Sequence, residues 1–212
     1  MINEPLTREE TSLTPGELVT VDKFNRIFYN ERAWATTYLG NPLMKNPMDL
    51  WVMQLIVYGI RPDVIIETGT FRGGSALYYA KLFDALYTEG RVITVDLEKH
   101  PDLPCHHRIC YITGDSASPD VFEKVKALIP EKSKVMVVLD SDHAAGHVLS
   151  ELRLYAPLVS VGSYCVVEDT NVEGPLNAIQ EFFDENHDFA VSTECHRFLL
   201  TFNRYGFLKR VR

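Results

Sequence analysis

From residue 63 onward, short β-branched runs alternate with helical periods, and this alternation constrains the fold more than any other feature of the chain. Asp63-Val64-Ile65-Ile66-Glu67 reads as a strand. Gly74 to Leu86 reads as a helix with Ala76, Leu77, Ala80, Leu82 and Phe83 apolar, and Arg91 to Asp96 as a second strand. The pattern continues through strand Arg108–Thr113, helix Asp120–Leu128, strand Lys134–Asp140, helix His147–Leu158, strand Ser163–Glu168 and helix Pro175–Glu185. Strands that are apolar throughout, each followed by a helix, belong in a parallel sheet covered on both faces. Right-handed crossovers then wind that sheet in both directions from its middle. Phe189–Thr193 and Arg197–Phe202 close the chain with no helix between them, which predicts an antiparallel hairpin. The expected fold is α/β: a doubly wound, mostly parallel, seven-stranded Rossmann-like sheet with an antiparallel C-terminal hairpin.

Upstream, residues 1 to about 20 carry Thr, Glu, Pro and Gly without a sustained period and read as a loose arm. Val21–Asn30 reads as a short helix, and Ala33–Tyr38 leads into a turn at Gly40-Asn41-Pro42. Asn46 or Pro47 opens the next helix, and Asp49 suits its positively polarised first turn. Leu50, Met53, Leu55, Ile56 and Val57 give that helix a buried stripe, and Trp51 is expected in the core. With 212 residues and no repeat or low-complexity linker, one domain suffices: an arm or cap over 1–45 and a core over 46–212.

Composition narrows the partners. The hydrophobic fraction of 46% supports a packed core, and the net charge of −8 argues against nucleic acid, which needs a basic face. The cations between Arg204 and Arg212 read as a solvated end. No run of about 18 apolar residues predicts a membrane span, and the N-terminus lacks an apolar signal core. Cys105, Cys110, Cys165 and Cys195 are scattered without metal or redox spacing, so reduced thiols and a cytoplasmic location are expected.

In a doubly wound sheet, ligands sit beyond the carboxyl ends of the strands. Three groups fall there. The loop Glu67-Thr68-Gly69-Thr70-Phe71-Arg72-Gly73-Gly74-Ser75 offers close backbone approach at its glycines and free N–H groups at the following helix. Asp96 ends the second strand, 27 residues past the first glycine, and can accept from a ribose diol. Gly114-Asp115-Ser116 follows the third strand, where a carboxylate and a hydroxyl can meet an adenine edge. The loop lacks the Gly-Lys-Ser/Thr ending of a phosphate loop and is not GxGxxG. Glu67 would repel a pyrophosphate but suits a cationic cofactor. The expected ligand is S-adenosylmethionine, held by Glu67, Gly69, Thr70, Gly73, Ser75, Asp96, Asp115 and Ser116, with Asp140 at its reactive end.

The most informative stretch is Val137-Val138-Leu139-Asp140-Ser141-Asp142-His143, and the following strand ends in Glu168-Asp169-Thr170. Acids at the ends of two adjacent strands repel one another unless a cation lies between them. Hard oxygen ligands suit Mg²⁺ or a similar divalent ion, so Asp140, Glu168 and Asp169 are the candidate ligands. Asp142 is the alternative to Asp140, and a salt bridge or cofactor contact is the alternative role for Glu168. A divalent ion lowers the pKa of a substrate hydroxyl, and a base then removes the proton. His143 is the candidate base, with helix capping as its alternative role and His147 as its rival. His100, His106 and His107 read as surface residues.

The run Tyr38-Leu39-Gly40-Asn41-Pro42-Leu43-Met44-Lys45-Asn46-Pro47-Met48-Asp49-Leu50, then Ile65–Thr70 with Gly73–Ala76, Leu139–His143 and Val167–Thr170, resembles the cephalosporin hydroxylase family. The resemblance covers roughly residues 34 to 200. It implies a class I methyltransferase fold and S-adenosylmethionine- and metal-dependent O-methylation of a sugar or secondary-metabolite hydroxyl. It also implies a homo-oligomer, and that Lys45 and Asp49 help close the site. Lys45 could hold the cofactor's carboxylate or a substrate anion; otherwise it is a surface lysine. The wider metal-dependent O-methyltransferases are also similar; in the catechol-methylating enzyme a lysine stands where this chain has His143. Two other readings stay open. One is a hydroxylase-type oxygenation component, with His143, His147 and Asp140 as a two-His-one-carboxylate iron site. The other is a non-catalytic cofactor-binding module of the same fold.

Overall fold

The structure is a computed structural model and describes residues 13–212. Residues 1–12 of the expected arm lie outside that range. Helix α1 spans Pro15–Asn30 and so begins well before the expected Val21. The cause is a capping box: the Thr14 side chain accepts from the Glu17 N–H while the Glu17 carboxylate accepts from the Thr14 N–H at 2.8 Å. Beyond α1, strands β1 (Ala35–Tyr38) and β2 (Asn41–Met44) form an antiparallel hairpin where only a turn was expected. Tyr38 meets Tyr78 edge-on at 5.2 Å, which seats the hairpin against the core.

Helix α2 (Pro47–Ile60) opens as its sequence predicts, with Asn46 accepting from the Met48 N–H and Asp49 in the first turn. Its buried face is Val52, Met53, Ile56 and Val57. Trp51 and Tyr58, seven residues apart, share the opposite face, so Trp51 is 59% exposed and does not belong to the core.

The alternating region follows as β3 (Val64–Thr68), α3 (Gly74–Ala85), β4 (Arg91–Asp96), β5 (Ile109–Thr113), α4 (Pro119–Ala127), β6 (Val135–Leu139), α5 (Ala145–Tyr155), β7 (Tyr164–Val167) and α6 (Glu173–Glu185). Two more strands, β8 (Phe189–Val191) and β9 (Phe207–Arg210), complete a seven-stranded sheet in the order β5-β4-β3-β6-β7-β9-β8. The first five run parallel; β9 is antiparallel to both β7 and β8. The antiparallel C-terminal hairpin is therefore present, but its second strand is Phe207–Arg210. Residues 197–202, expected as a strand, form an irregular crossing segment.

Alternate residues of each parallel strand feed opposite faces. Val64, Ile66, Val135 and Val137 pack with Val121 of α4, Leu152 of α5 and Ile179 of α6. Ile65, Met136 and Val138 pack with Met53 of α2 and Tyr79 of α3. Burying both faces explains why these strands read as continuous apolar runs. The chain leaves β3 for β4 on one side and reaches β6 on the other, so the crevice between those strand ends is where a ligand enters this kind of sheet.

Candidate active site

A cavity of about 910 Å³ opens at that crevice, lined by the loop after β3, the ends of β4 to β6, and Arg32 and Trp34 from the segment before β1. Gly69 sits at φ +86°, and a Cβ there would stand 1.9 Å from the Asp140 carbonyl oxygen. Only glycine lets the loop and the end of β6 meet so closely.

Below the loop, Glu67 is fully buried. Its Oε2 accepts from the Thr94 hydroxyl at 2.7 Å, and Thr94 in turn meets the Thr70 hydroxyl at 2.6 Å. Ser75 also pulls on this carboxyl, but among the described residues Oε1 closes no hydrogen bond. Burial pushes the Glu67 carboxyl up to about 7, against the pull of Lys45. A buried acceptor with a free oxygen suits a cationic amino group. Asp96 lines the cavity and accepts from the Phe71 N–H at 2.7 Å, which fixes the carboxylate at the rim. Asp115 also lines it and accepts from the Ala117 N–H at 2.9 Å. The Ser116 hydroxyl turns inward and donates to Glu151 at 2.5 Å.

Lys45 is no surface lysine; it is 5% exposed. Its Nζ lies 2.7 Å from Asp140 Oδ2 and 3.0 Å from Glu168 Oε1. Burial works against its ammonium, but Asp140 and Glu168 outweigh that and hold its pKa well above the ordinary lysine value. Burial likewise raises Asp140, yet Lys45 and His143 keep it below the usual carboxylate range. Asp169 is pushed up to about 7 by burial and by the neighbouring Asp140 and Glu168 charges. His143 Nε2 stands 4.0 Å from Asp140 Oδ1 and 3.4 Å from Asp169 Oδ2, and these acids raise its pKa.

Among the described residues, Asp140, His143 and Asp169 each offer a ligand atom within 4.8 Å of the others. Their oxygen and nitrogen donors suit a divalent cation. Glu168, expected beside Asp169, turns instead to Lys45 and accepts from the Asn203 amide at 2.6 Å. Asp142 accepts from the Ala144 N–H at 2.8 Å and stands at the cavity wall. His147 is not with His143: its Nε2 lies by Ser116 and Glu151. The two histidines and Asp140 therefore do not gather as an iron triad. Nor is His106 simply a surface residue, because its Nε2 meets Asp84 at 3.1 Å.

Two further residues shape this rim, of which Asn203 lies outside the sequence-based expectations. Asn203 donates to Glu168 and accepts from the Asp169 N–H at 2.9 Å, so one amide sets both acids. Asp169 needs that hold, since it sits at φ +54°. Asn203 carries no motif in the chain. Gly174, in the first turn of α6, is the other: a Cβ there would stand 1.9 Å from the His143 carbonyl oxygen. Asp49 acts from below by accepting from the Phe202 N–H at 2.9 Å, which fixes the segment that carries Asn203.

Comparison with known proteins gives consistent matches. A family model described as rhamnosyl O-methyltransferase/CmcI matches residues 30–211. The rhamnosyl O-methyltransferase of Mycobacterium tuberculosis is 34% identical over 187 residues, covering 81% of this chain and 76% of the relative. Its namesake from Mycobacterium leprae is 32% identical over 207 residues, covering 89% and 90%. A solved structure of CmcI with Mg and SAM superposes with a TM-score of 0.64 at 19% identity, covering 84% of this chain and 77% of that one. At that identity the likeness speaks for the fold.

Proposed function

The chain belongs to the rhamnosyl O-methyltransferase/CmcI family, and from that premise we propose that it moves the methyl group of S-adenosylmethionine to a hydroxyl of a sugar, in a divalent-metal-dependent reaction. The observation that carries this reading is the set of acids at the ends of β6 and β7, beside a cavity with a cofactor loop on its other wall. The curated relatives are named for a rhamnosyl acceptor, which supports a deoxysugar hydroxyl as the substrate class.

Glu67 receives the cofactor's amino group, and Asp96 accepts from its ribose hydroxyls. Gly69, Thr70, Gly73 and Ser75 shape the turn that lets the cofactor lie against the backbone. Asp140 and Asp169 would hold the metal, with Glu168 able to join them from its place on Lys45. Bound there, the ion supplies positive charge that lowers the pKa of an acceptor hydroxyl. Lys45 keeps Asp140 and Glu168 together by neutralising them. His143, 3.4 Å from Asp169, is the side chain placed to take the hydroxyl proton. The segment before residue 46 caps the acceptor end, where Arg32 and Trp34 line the cavity. The four cysteines are free, in keeping with a cytoplasmic reaction.

Incubation with methyl-labelled cofactor and a panel of rhamnosides tests the reading. Labelled product should appear, a chelator should stop it, and Asp140→Ala should lower turnover at least about a hundredfold while adenosylhomocysteine still binds. Turnover that survives both the chelator and the substitution would sink it.

A further inference from the structure

Glu151 lies on α5, beneath the cavity, and is completely buried. Three donors converge on its Oε1. Ser116, which follows β5, donates its hydroxyl at 2.5 Å, and Ser141, which follows β6, donates at 2.7 Å. His147 Nε2 stands 3.4 Å away, one helical turn before Glu151. The same imidazole nitrogen is 3.3 Å from Ser116 Oγ. Ser116, Ser141 and His147 all line the large cavity. One buried carboxylate thus ties together the ends of two strands that are not neighbours and a helix that runs under both.

The proton count decides which tautomer His147 adopts. A serine hydroxyl has one hydrogen, and that of Ser116 goes to Glu151. Toward His147 the Ser116 oxygen can only accept, and so can Glu151 Oε1, which already accepts from both serines. Nε2 of His147 must therefore carry the hydrogen. Glu151 raises the His147 pKa; in the neutral imidazole, present above it, Nδ1 is a bare lone pair, and with Nε2 engaged it is the group His147 has left for a ligand. The complement of such a lone pair is an N–H donor.

We propose that His147 reads the exocyclic amino group of the cofactor's adenine, and that Glu151 is the positioning residue that sets His147 and Ser116 for it. The inference rests on the adenosylmethionine reading above. Its geometry follows from the sheet: β5 lies outside β4, so a base lies beyond a ribose held at Asp96 and comes to Ser116 and His147. His147 thereby leaves the role of rival base, which stays with His143 beside the acids.

The test compares adenosylhomocysteine with S-inosylhomocysteine, whose ring carries an oxygen acceptor where adenine carries the amino group. Isothermal titration on the full chain, at a pH where His147 is neutral, should show the wild type favouring the adenine compound by about ten- to a hundredfold, since the wrong base leaves two acceptors facing each other. His147→Ala should bring that ratio near one. Glu151→Gln should narrow it too, because an amide can donate and no longer enforces the tautomer. A loss of affinity that is equal for both ligands is what a merely structural role predicts, and it would overturn the proposal. So would a wild type with no preference, or a His147→Ala variant that keeps the full ratio. If Glu151→Gln does not fold, His147→Ala, at a partly exposed side chain, decides alone. Failure of the wild type to bind either nucleoside would overturn the methyltransferase reading as well, and is distinguishable from binding both equally.

Discussion

At the scale of single residues, Glu67 and Asn203 carry the clearest consequences. Burial holds the Glu67 carboxyl at about 7, above its ordinary value of 4.5. Between those values the folded protein keeps a proton that the unfolded chain has released, so stability from this group falls as pH rises through that window. Cofactor binding has the opposite slope. A cationic amino group wants the carboxylate, so affinity for adenosylhomocysteine should rise several-fold from pH 6 to pH 8 and then level. Glu67→Gln should flatten both profiles, and titrations at five or six pH values would show it; an unchanged profile in the variant would contradict the assignment. Asn203 makes a sharper prediction about the metal. Its amide is shared between Glu168 and the Asp169 N–H, and removing a group that orients ligands typically costs about ten- to a hundredfold in metal affinity. Asn203→Ala should show that loss in a Mn²⁺ or Mg²⁺ titration, with adenosylhomocysteine affinity in the absence of metal kept.

At the scale of elements, the contact of α6 with the backbone of His143 is the one to break. A methyl group at Gly174 has no room, with a carbonyl oxygen 1.9 Å from the ideal Cβ position. Gly174→Ala should push α6 and the His143 loop apart, costing roughly 1–3 kcal/mol of stability. Turnover should fall by more than cofactor affinity does, which steady-state kinetics beside a cofactor titration would reveal. The sequence foretold α6 itself, as it did β3 to β7 and their helices, because local periodicity is enough when each strand is buried on both faces. It also pointed to Asp140 and Asp169, since both stand at strand ends. A salt bridge was the alternative role for Glu168, but Lys45 as its partner was not foretold, because the two residues lie far apart in the chain. The strand β9 and the 197–206 crossing escaped for a related reason: their order comes from distant partners. Phe202 bonds to Asp49 across 153 positions, and no local period records that. The β1–β2 hairpin is local, Tyr38 facing Asn41, and of it only the turn was expected. The early start of α1 was legible in Thr14-x-x-Glu17, a local signal the arm's Pro and Gly content outweighed.

At the scale of the whole molecule, Phe202 joins the segment before β1 to the site. Its ring, 3% exposed, meets Phe28 at 6.0 Å, Tyr29 at 5.1 Å and Trp34 at 6.1 Å. Its N–H is held by Asp49, and the next residue is Asn203. The aromatic cluster that seats α1 is thus covalently continuous with the amide that sets Glu168 and Asp169. Docking of the N-terminal segment and alignment of the acids should therefore fail together. Phe202→Ala removes a buried aromatic ring, which typically costs about 3–5 kcal/mol. For a chain of this size that is roughly a 6–20 °C fall in Tm. Trp34 loses its edge-on partner and keeps only the Tyr29 stack and its hydrogen bond to the Tyr29 carbonyl, so the wall at the acceptor end loosens and KM for the sugar should rise. The cofactor loop contributes no residue to this aromatic cluster, so adenosylhomocysteine affinity should change little. Calorimetry with acceptor and cofactor titrations on the same preparation separates these effects. A variant that loses cofactor affinity as strongly as acceptor affinity would mean that the N-terminal segment serves the whole cavity and not its acceptor end.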